Sequence, residues 1–245
     1  MTSSSAPGRV RPLVLALAPP APGISHDAET PSLETLGGSR LIERLLSTLH
    51  ALGLPAPVVV ARSEAAGHLR SLLDPRLTVL AADGDRRRAL RAALEICDDP
   101  LLLVHDAERA LTPQTVIAEV LASLHGGLDA VVPVVAMTDS VKEVRPGGLR
   151  NVDRSTLAGL QSPRLLRREV LEAALDPAQT RAEQAPPGGR FDEIHAALAA
   201  GARVGTVQGS HSGFAVLDRL TLWQAQISLG LARDTSHRRG LARRG

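Results

Sequence analysis

The 245-residue chain has no tyrosine, and its aromatic rings are confined to Phe191, Phe214 and Trp223. Surfaces that read nucleic-acid bases by stacking need several rings, so a nucleic-acid partner is not expected. Lysine is nearly absent: Lys142 is the one lysine among 28 basic residues, so chemistry that needs an amine must use it. The single cysteine, Cys97, excludes an intrachain disulfide and a cysteine-based metal cluster. No run approaches the ~18–20 apolar residues of a membrane span, so no membrane partner is expected. Residues 13–18 (LVLALA) follow two arginines, but the stretch is shorter than the apolar region of a secretory signal. It reads as a first buried strand, and the expected location is the cytoplasm.

What is present suits a folded core. Hydrophobic residues make up 44% of the chain and charged residues 22%, which excludes global disorder. With so few rings, that core must be aliphatic. The formal net charge is +2, but residues 233–245 hold five arginines and one aspartate, a net +4. Residues 1–232 therefore carry −2. The expected organisation is one domain over 1–232 followed by a basic, flexible tail over 233–245.

Apolar runs alternate with helical periodicity. Strands are predicted at 12–18, 57–61, 77–80, 101–104 and 129–135. Helices are predicted from Ser39 as N-cap to Gly53, at 64–73, at 85–97, and after Thr112 with Pro113 in the first helical position. Continuous apolar strands alternating with amphipathic helices indicate a Rossmann-like α/β fold, a mostly parallel sheet with helices on both faces. The alternation then breaks. Residues 140–145 and 149–152, separated by Pro146-Gly147-Gly148, read as a β-hairpin. A helix is predicted at 161–175, a loose loop at 176–189, a helix at 191–200, a strand at 203–208 and a closing helix at 217–231.

Several familiar motifs fail. There is neither a dinucleotide-binding glycine motif nor a Walker loop. Gly37-Gly38-Ser39 before a helix reads as a turn or as a phosphate-holding amide cluster. Residues 209–213 (GSHSG) have His211 where a nucleophile elbow needs serine. The histidines are scattered without zinc-ligand spacing.

The informative stretch is 102–111, LLVHDAERAL. An apolar strand runs into His105-Asp106 at the edge where an α/β sheet presents its ligand. A carboxylate there can hold Mg2+, orient a phosphorylated substrate or cap a turn. Further on come Asp139-Ser140-Val141-Lys142, then Asp153-Arg154, then Gln161-Ser162-Pro163-Arg164. This order resembles the 2-C-methyl-D-erythritol 4-phosphate cytidylyltransferases. Their strand ends in V-H-D-A-x-R-P and is followed by D-T-x-K, D-R and Q-T-P-Q. Arg86 is similar to the arginine of the family's glycine-and-arginine turn, and Asp192 to its T-D-D segment.

The resemblance implies a nucleotidyltransferase domain with a protruding hairpin arm, about 139–160, through which two copies form a homodimer. It implies transfer of CMP from CTP to methylerythritol phosphate with Mg2+ as cofactor. The substrate phosphate is expected at Asp139, Ser140, Lys142 and Arg154. Asp106 is expected between substrate and nucleotide as the catalytic and metal-facing carboxylate, with Arg86 on the nucleotide side.

The departures fall on the nucleotide side. The family loop after the first strand is glycine-rich and cationic. Here residues 18–31 read APPAPGISHDAETP, with one glycine and no lysine or arginine. Proline cannot donate a backbone N–H. Ser32 and Ala215 stand where the family has lysines, Ser212 replaces an acidic residue and Ala89 a serine, and the turn is Ala82-Asp83. Nucleotidyl transfer depends on cationic stabilisation of dispersed negative charge. The expectation is a divergent member with impaired or lost catalysis that retains a pocket for a phosphorylated small molecule. Two alternatives stay open: an active enzyme with rearranged cations, or a non-catalytic partner of an active paralogue.

Overall fold

A computed structural model of the protein describes residues 9–21, 23–24, 29–176 and 191–231. The chain order begins with β1 (Val10–Ala16), the short pair β2 (Thr35–Leu36) and β3 (Ser39–Arg40), and α1 (Leu41–Ala51). Then come β4 (Val58–Arg62), α2 (Ser63–Leu72), β5 (Thr78–Ala82), α3 (Arg86–Leu94), β6 (Leu101–Asp106), α4 (Gln114–Ala122) and β7 (Ala130–Ala136). A hairpin of β8 (Val141–Arg145) and β9 (Gly148–Val152) follows. The remaining elements are β10 (Ala158–Leu160), β11 (Arg164–Arg167), α5 (Arg168–Leu175), α6 (Glu193–Ala199), β12 (Val204–Gln208) and α7 (Arg219–Ser228).

Eight strands form one sheet. β12, β7, β6, β1, β4 and β5 supply its parallel pairings, while β10 and β11 run antiparallel. β11 lies between β6 and β7, with Leu165 opposite both Leu103 and Val131. β10 pairs with the other end of β7. Pro133 falls in the gap between these two partners, where β7 loses no ladder bond on that side. Pro12 sits before the first β4 pair of β1, for the same reason.

Strand alternation sorts the core into two layers. Val14, Val59, Leu103 and Leu165 face α1, α2, α4 and α7. Leu13, Val58, Leu102 and Leu166 face α3, α5 and α6. Both faces of the central strands are therefore covered, as the continuous apolar runs require.

Four expectations need correction. Residues 161–175 are not one helix: 164–167 form β11, and only Arg168–Leu175 is helical. Leu165 and Leu166 are both fully buried, one on each face of the sheet, as successive side chains of a central strand are. Ser39 does not cap α1. It pairs with Leu36 across Gly37-Gly38, both at positive φ (62° and 85°), as a two-residue hairpin turn demands. The start of α1 is closed by Glu43, whose carboxylate accepts the Arg40 N–H at 2.7 Å. Pro113 is the N-cap of α4, one residue before its first turn. β6 extends to Asp106, two residues past the expected end.

The hairpin formed by β8 and β9 is a two-stranded sheet of its own. The loop expected at 176–189 lies, past Asp176, outside the described residues, as does the basic tail at 233–245. Among the described residues, no helix is long and apolar enough to cross a membrane.

Leu165→Ala is expected to lower unfolding stability by about 2–5 kcal/mol, because its side chain fills a fully packed layer. Urea denaturation measures this. A loss under ~1 kcal/mol would contradict the packed position of β11.

Candidate functional site

A cleft of about 540 Å³ opens at the carboxyl ends of β1 and β6. This is the edge where open α/β sheets bind ligands. β6 delivers Asp106 there, in register with Leu15 of β1. Because β11 runs antiparallel, its first residue, Arg164, also arrives at that edge, opposite Val104. The N-termini of α3 and α6 close the cleft with Arg86 and Asp192.

These groups form a single ion-pair network. Arg86 forks onto Glu193, with Nε–Oε2 and Nη2–Oε1 both at 2.7 Å, and its Nη1 reaches Asp106 Oδ1 at 2.5 Å. Arg164 Nη1 lies 2.7 Å from Asp192 Oδ2 and 3.1 Å from Glu193 Oε1. Arg109 Nε stands 3.8 Å from Asp106 Oδ2, while its Nη1 donates to the Gly213 carbonyl at 2.6 Å. Glu193 is completely buried. Burial alone would raise the Glu193 and Asp106 carboxyls, but Arg86 and Arg164 outweigh it and hold both below the usual carboxylate range. Burial acts against the Arg86 charge, yet Glu193 and Asp106 carry its pKa well above normal.

Glu108 behaves differently. It lines the cleft, it is buried, and none of the cleft arginines pairs with it. Burial first, and the Asp106 charge second, push its carboxyl up to about 7. Its Oε1 lies 3.4 Å from the Ala18 N–H nitrogen and 3.5 Å from Thr30 Oγ1. Beneath the network, His105 is fully buried and burial lowers its pKa to about 4. Its Nδ1 meets the Asp106 carbonyl at 3.0 Å and Ser162 Oγ at 3.2 Å.

Among the described residues, the cleft carboxylates do not by themselves form a protein-only metal cage. Asp106, Asp192 and Glu193 are each engaged by a guanidinium. Among the described residues, no group of three or more His, Cys, Asp or Glu side chains could hold an ion.

Comparison with known proteins supplies the relationship. Residues 23–230 match the family model described as 2-C-methyl-D-erythritol 4-phosphate cytidylyltransferase. The chain belongs to this cytidylyltransferase family. The protein of that name from Rhodococcus opacus is 34% identical over 191 residues, covering 76% of this chain and 81% of that protein. A bifunctional IspD/IspF enzyme from Clavibacter michiganensis is 32% identical over 209 residues, covering 80% of this chain and 48% of that enzyme. Among solved structures, the 4-diphosphocytidyl-2C-methyl-D-erythritol synthase of Anaerococcus prevotii superposes with a TM-score of 0.74 at 15% identity, over 91% of this chain and 96% of that one. The cytidylyltransferase of Thermus thermophilus superposes at 0.68 with 20% identity, over 89% and 98%. At these identities the superpositions show the nucleotidyltransferase fold.

Asp106 and Arg86, singled out in the sequence, are therefore brought together in the cleft of this cytidylyltransferase-family chain. The residues expected to hold the acceptor phosphate are not. Lys142 is on the hairpin and donates to Asn151 Oδ1 at 2.6 Å. Arg154 follows β9 and donates to the Thr138 carbonyl at 2.6 Å. Neither they nor Asp139 and Ser140 line the cleft of their own chain.

Sequence reasoning missed Glu193, Arg164 and Glu108. Arg164 was visible as the arginine closing Gln-Ser-Pro-Arg, but the helix expected there hid its destination. Ser32 and Ala215, the two positions compared with family lysines in the sequence, are placed differently. Ser32 is buried beside Thr30, and Ala215 lines the cleft. The elbow-like segment 209–213 is a turn clamped by Gln161, whose amide exchanges hydrogen bonds with Ser210 N and O at 3.0 and 2.8 Å.

Arg86→Ala leaves two carboxylates without their main partner, one of them fully buried, and is expected to cost about 3–5 kcal/mol in a denaturant titration. The raised Glu108 pKa gives a second expectation. A carboxyl raised from 4.5 to about 7 on folding stabilises the fold below pH 4.5, and that contribution is lost as pH rises through 7. Glu108→Gln removes this loss. The melting temperature of Glu108→Gln minus that of the parent is expected to grow between about pH 5 and pH 8, reaching the equivalent of ~1–3 kcal/mol. A pH-independent difference would contradict the assignment.

Proposed function

We propose that this chain is a cytidylyltransferase-family member that has lost CTP turnover while keeping a site for a phosphorylated small molecule. The observation that carries the reading is the internal neutralisation of the cleft. Arg86 and Arg164 are committed to carboxylates of the same chain, and Arg109 is held by Asp106 and the Gly213 carbonyl. Asp106, Glu108, Asp192 and Asp85 line the same space. Transfer of a nucleotidyl group requires positive charge aimed at the phosphates as charge spreads in the transition state. Ala18, Ala215 and Leu217 line the cleft here, and residues 18–31 contain no lysine or arginine.

On the acceptor side, Asp139, Ser140, Lys142 and Arg154 keep hydroxyl and cationic groups suited to a phosphate such as that of methylerythritol phosphate. They sit on or beside an arm that departs from the sheet, so we read the site as completed between two copies. The arm supports this. Val144 and Leu149 are directly paired across the hairpin, and both are more than two-thirds exposed (82% and 70%). They share a face with Lys142 and Asn151. In this reading, 1–232 acts as one domain in the cytoplasm, and Mg2+ enters only with a nucleotide.

Purified protein given CTP, methylerythritol phosphate and Mg2+ is expected to release no pyrophosphate above background. Release that depends on both substrates overturns the reading. Arg154→Ala is expected to weaken methylerythritol phosphate binding about tenfold or more in calorimetry. Val144→Asp with Leu149→Asp is expected to convert a dimer to a monomer by light scattering.

A further inference from the structure

The Glu108 side chain is 5% exposed, yet it borders the cleft. Asp106, Asp192 and Glu193 each face a guanidinium. Glu108 has none of these partners, and its carboxylate instead addresses the segment that follows β1. Oε1 approaches the Ala18 amide at 3.4 Å and the Thr30 hydroxyl at 3.5 Å. Thr30 Oγ1 in turn lies 3.3 Å from Ser32 Oγ. Both contacts are donors at the carboxyl end of a central parallel strand, where backbone amides of α/β folds receive ligand anions.

The backbone around Glu108 is fixed. Val216 N–H donates to the Glu108 carbonyl at 2.8 Å, tying it to the segment that carries Ala215. This places the Glu108 side chain between the segment after β1 and the segment of Ala215. Of the charged groups near it, Asp106 is a second carboxylate, and Arg86 and Arg109 are already engaged with Asp106. An incoming phosphate would lose the Ala18 amide and meet the charge of a carboxylate whose side chain is itself buried.

We infer that Glu108 is a specificity-determining residue: an internal carboxylate that takes the anion position beside β1 and keeps phosphate groups out of that end of the cleft. This deepens the proposed loss of CTP turnover and rests on that reading for the location of the nucleotide side. The missing lysines explain weak attraction for a triphosphate. Glu108 adds active exclusion, so the two ideas separate experimentally.

The probes are inorganic tripolyphosphate and CTP, titrated calorimetrically into the full chain at about pH 8. Glu108→Gln removes the charge but keeps an acceptor for the Ala18 amide. Glu108→Ala removes both. The expected order of affinity is Ala above Gln above the parent, with about a tenfold or greater gain in tripolyphosphate affinity for Glu108→Ala. The Ala18 amide resonance is expected to shift on anion addition in that variant. Circular dichroism and melting curves establish that each variant folds, and Glu108→Gln preserves side-chain volume if Glu108→Ala does not fold. No gain in either folded variant, including no measurable binding in any protein, overturns the inference. A gain with an unmoved Ala18 amide overturns it as well. Pyrophosphate release by the parent would instead overturn the proposed loss of turnover, whatever the variants bind.

Discussion

Arg86 holds the cleft together by standing between two carboxylates that the chain delivers from distant places. Asp106 comes from the end of β6, Glu193 from the first turn of α6, and Arg86 itself from the first turn of α3. Arg164, from the start of β11, closes the network from the other side. A buried ion pair of this kind contributes little net stability over an apolar packing, but breaking one partner is costly. Its consequence is geometric: three element ends are fixed relative to one another by groups that cannot be left unpaired.

That same network determines what the cleft offers a ligand. The guanidiniums are present at the ligand edge, yet their charge is spent on neighbours. Among the described residues, the carboxylates lining the cleft outnumber its guanidiniums, which leaves them little surplus positive charge to offer a polyphosphate. The fold of a cytidylyltransferase is thus retained, while the described arginines lining the site face carboxylates of their own chain. Fold and activity are carried by different features, and the proposed loss of turnover rests on the second.

The arm follows a different logic. Its strands pair only with each other and leave Val144 and Leu149 facing solvent as a cross-strand apolar pair. Isolated two-stranded hairpins are marginal in water, so such an arm calls for a packing partner. Lys142 and Arg154 travel with it, so the proposed acceptor site needs the arm of one copy to meet the cleft of another.

Much of this was legible before folding. The aliphatic runs at 101–104 and 129–135, read against intervening amphipathic stretches, announce a covered parallel sheet because strand and helix periods differ. The hairpin was legible in Pro146-Gly147-Gly148, since turn residues act locally. The motif at His105-Asp106 was legible as a strand end at the ligand edge. The route of residues 161–167 was not, because Leu165 and Leu166 fit either a helix or a doubly buried strand, and only the vacancy between β6 and β7 chooses. That choice sends Arg164 to the cleft. Ion-pair partners were equally hidden: Arg86 and Glu193 lie 107 residues apart, and no local pattern links them. The sequence determined which charges exist and the periodicity of the elements. The tertiary structure alone decided which charges neutralise each other, because pairing depends on distances of a few ångströms between ends of strands and helices that the chain brings together only on folding.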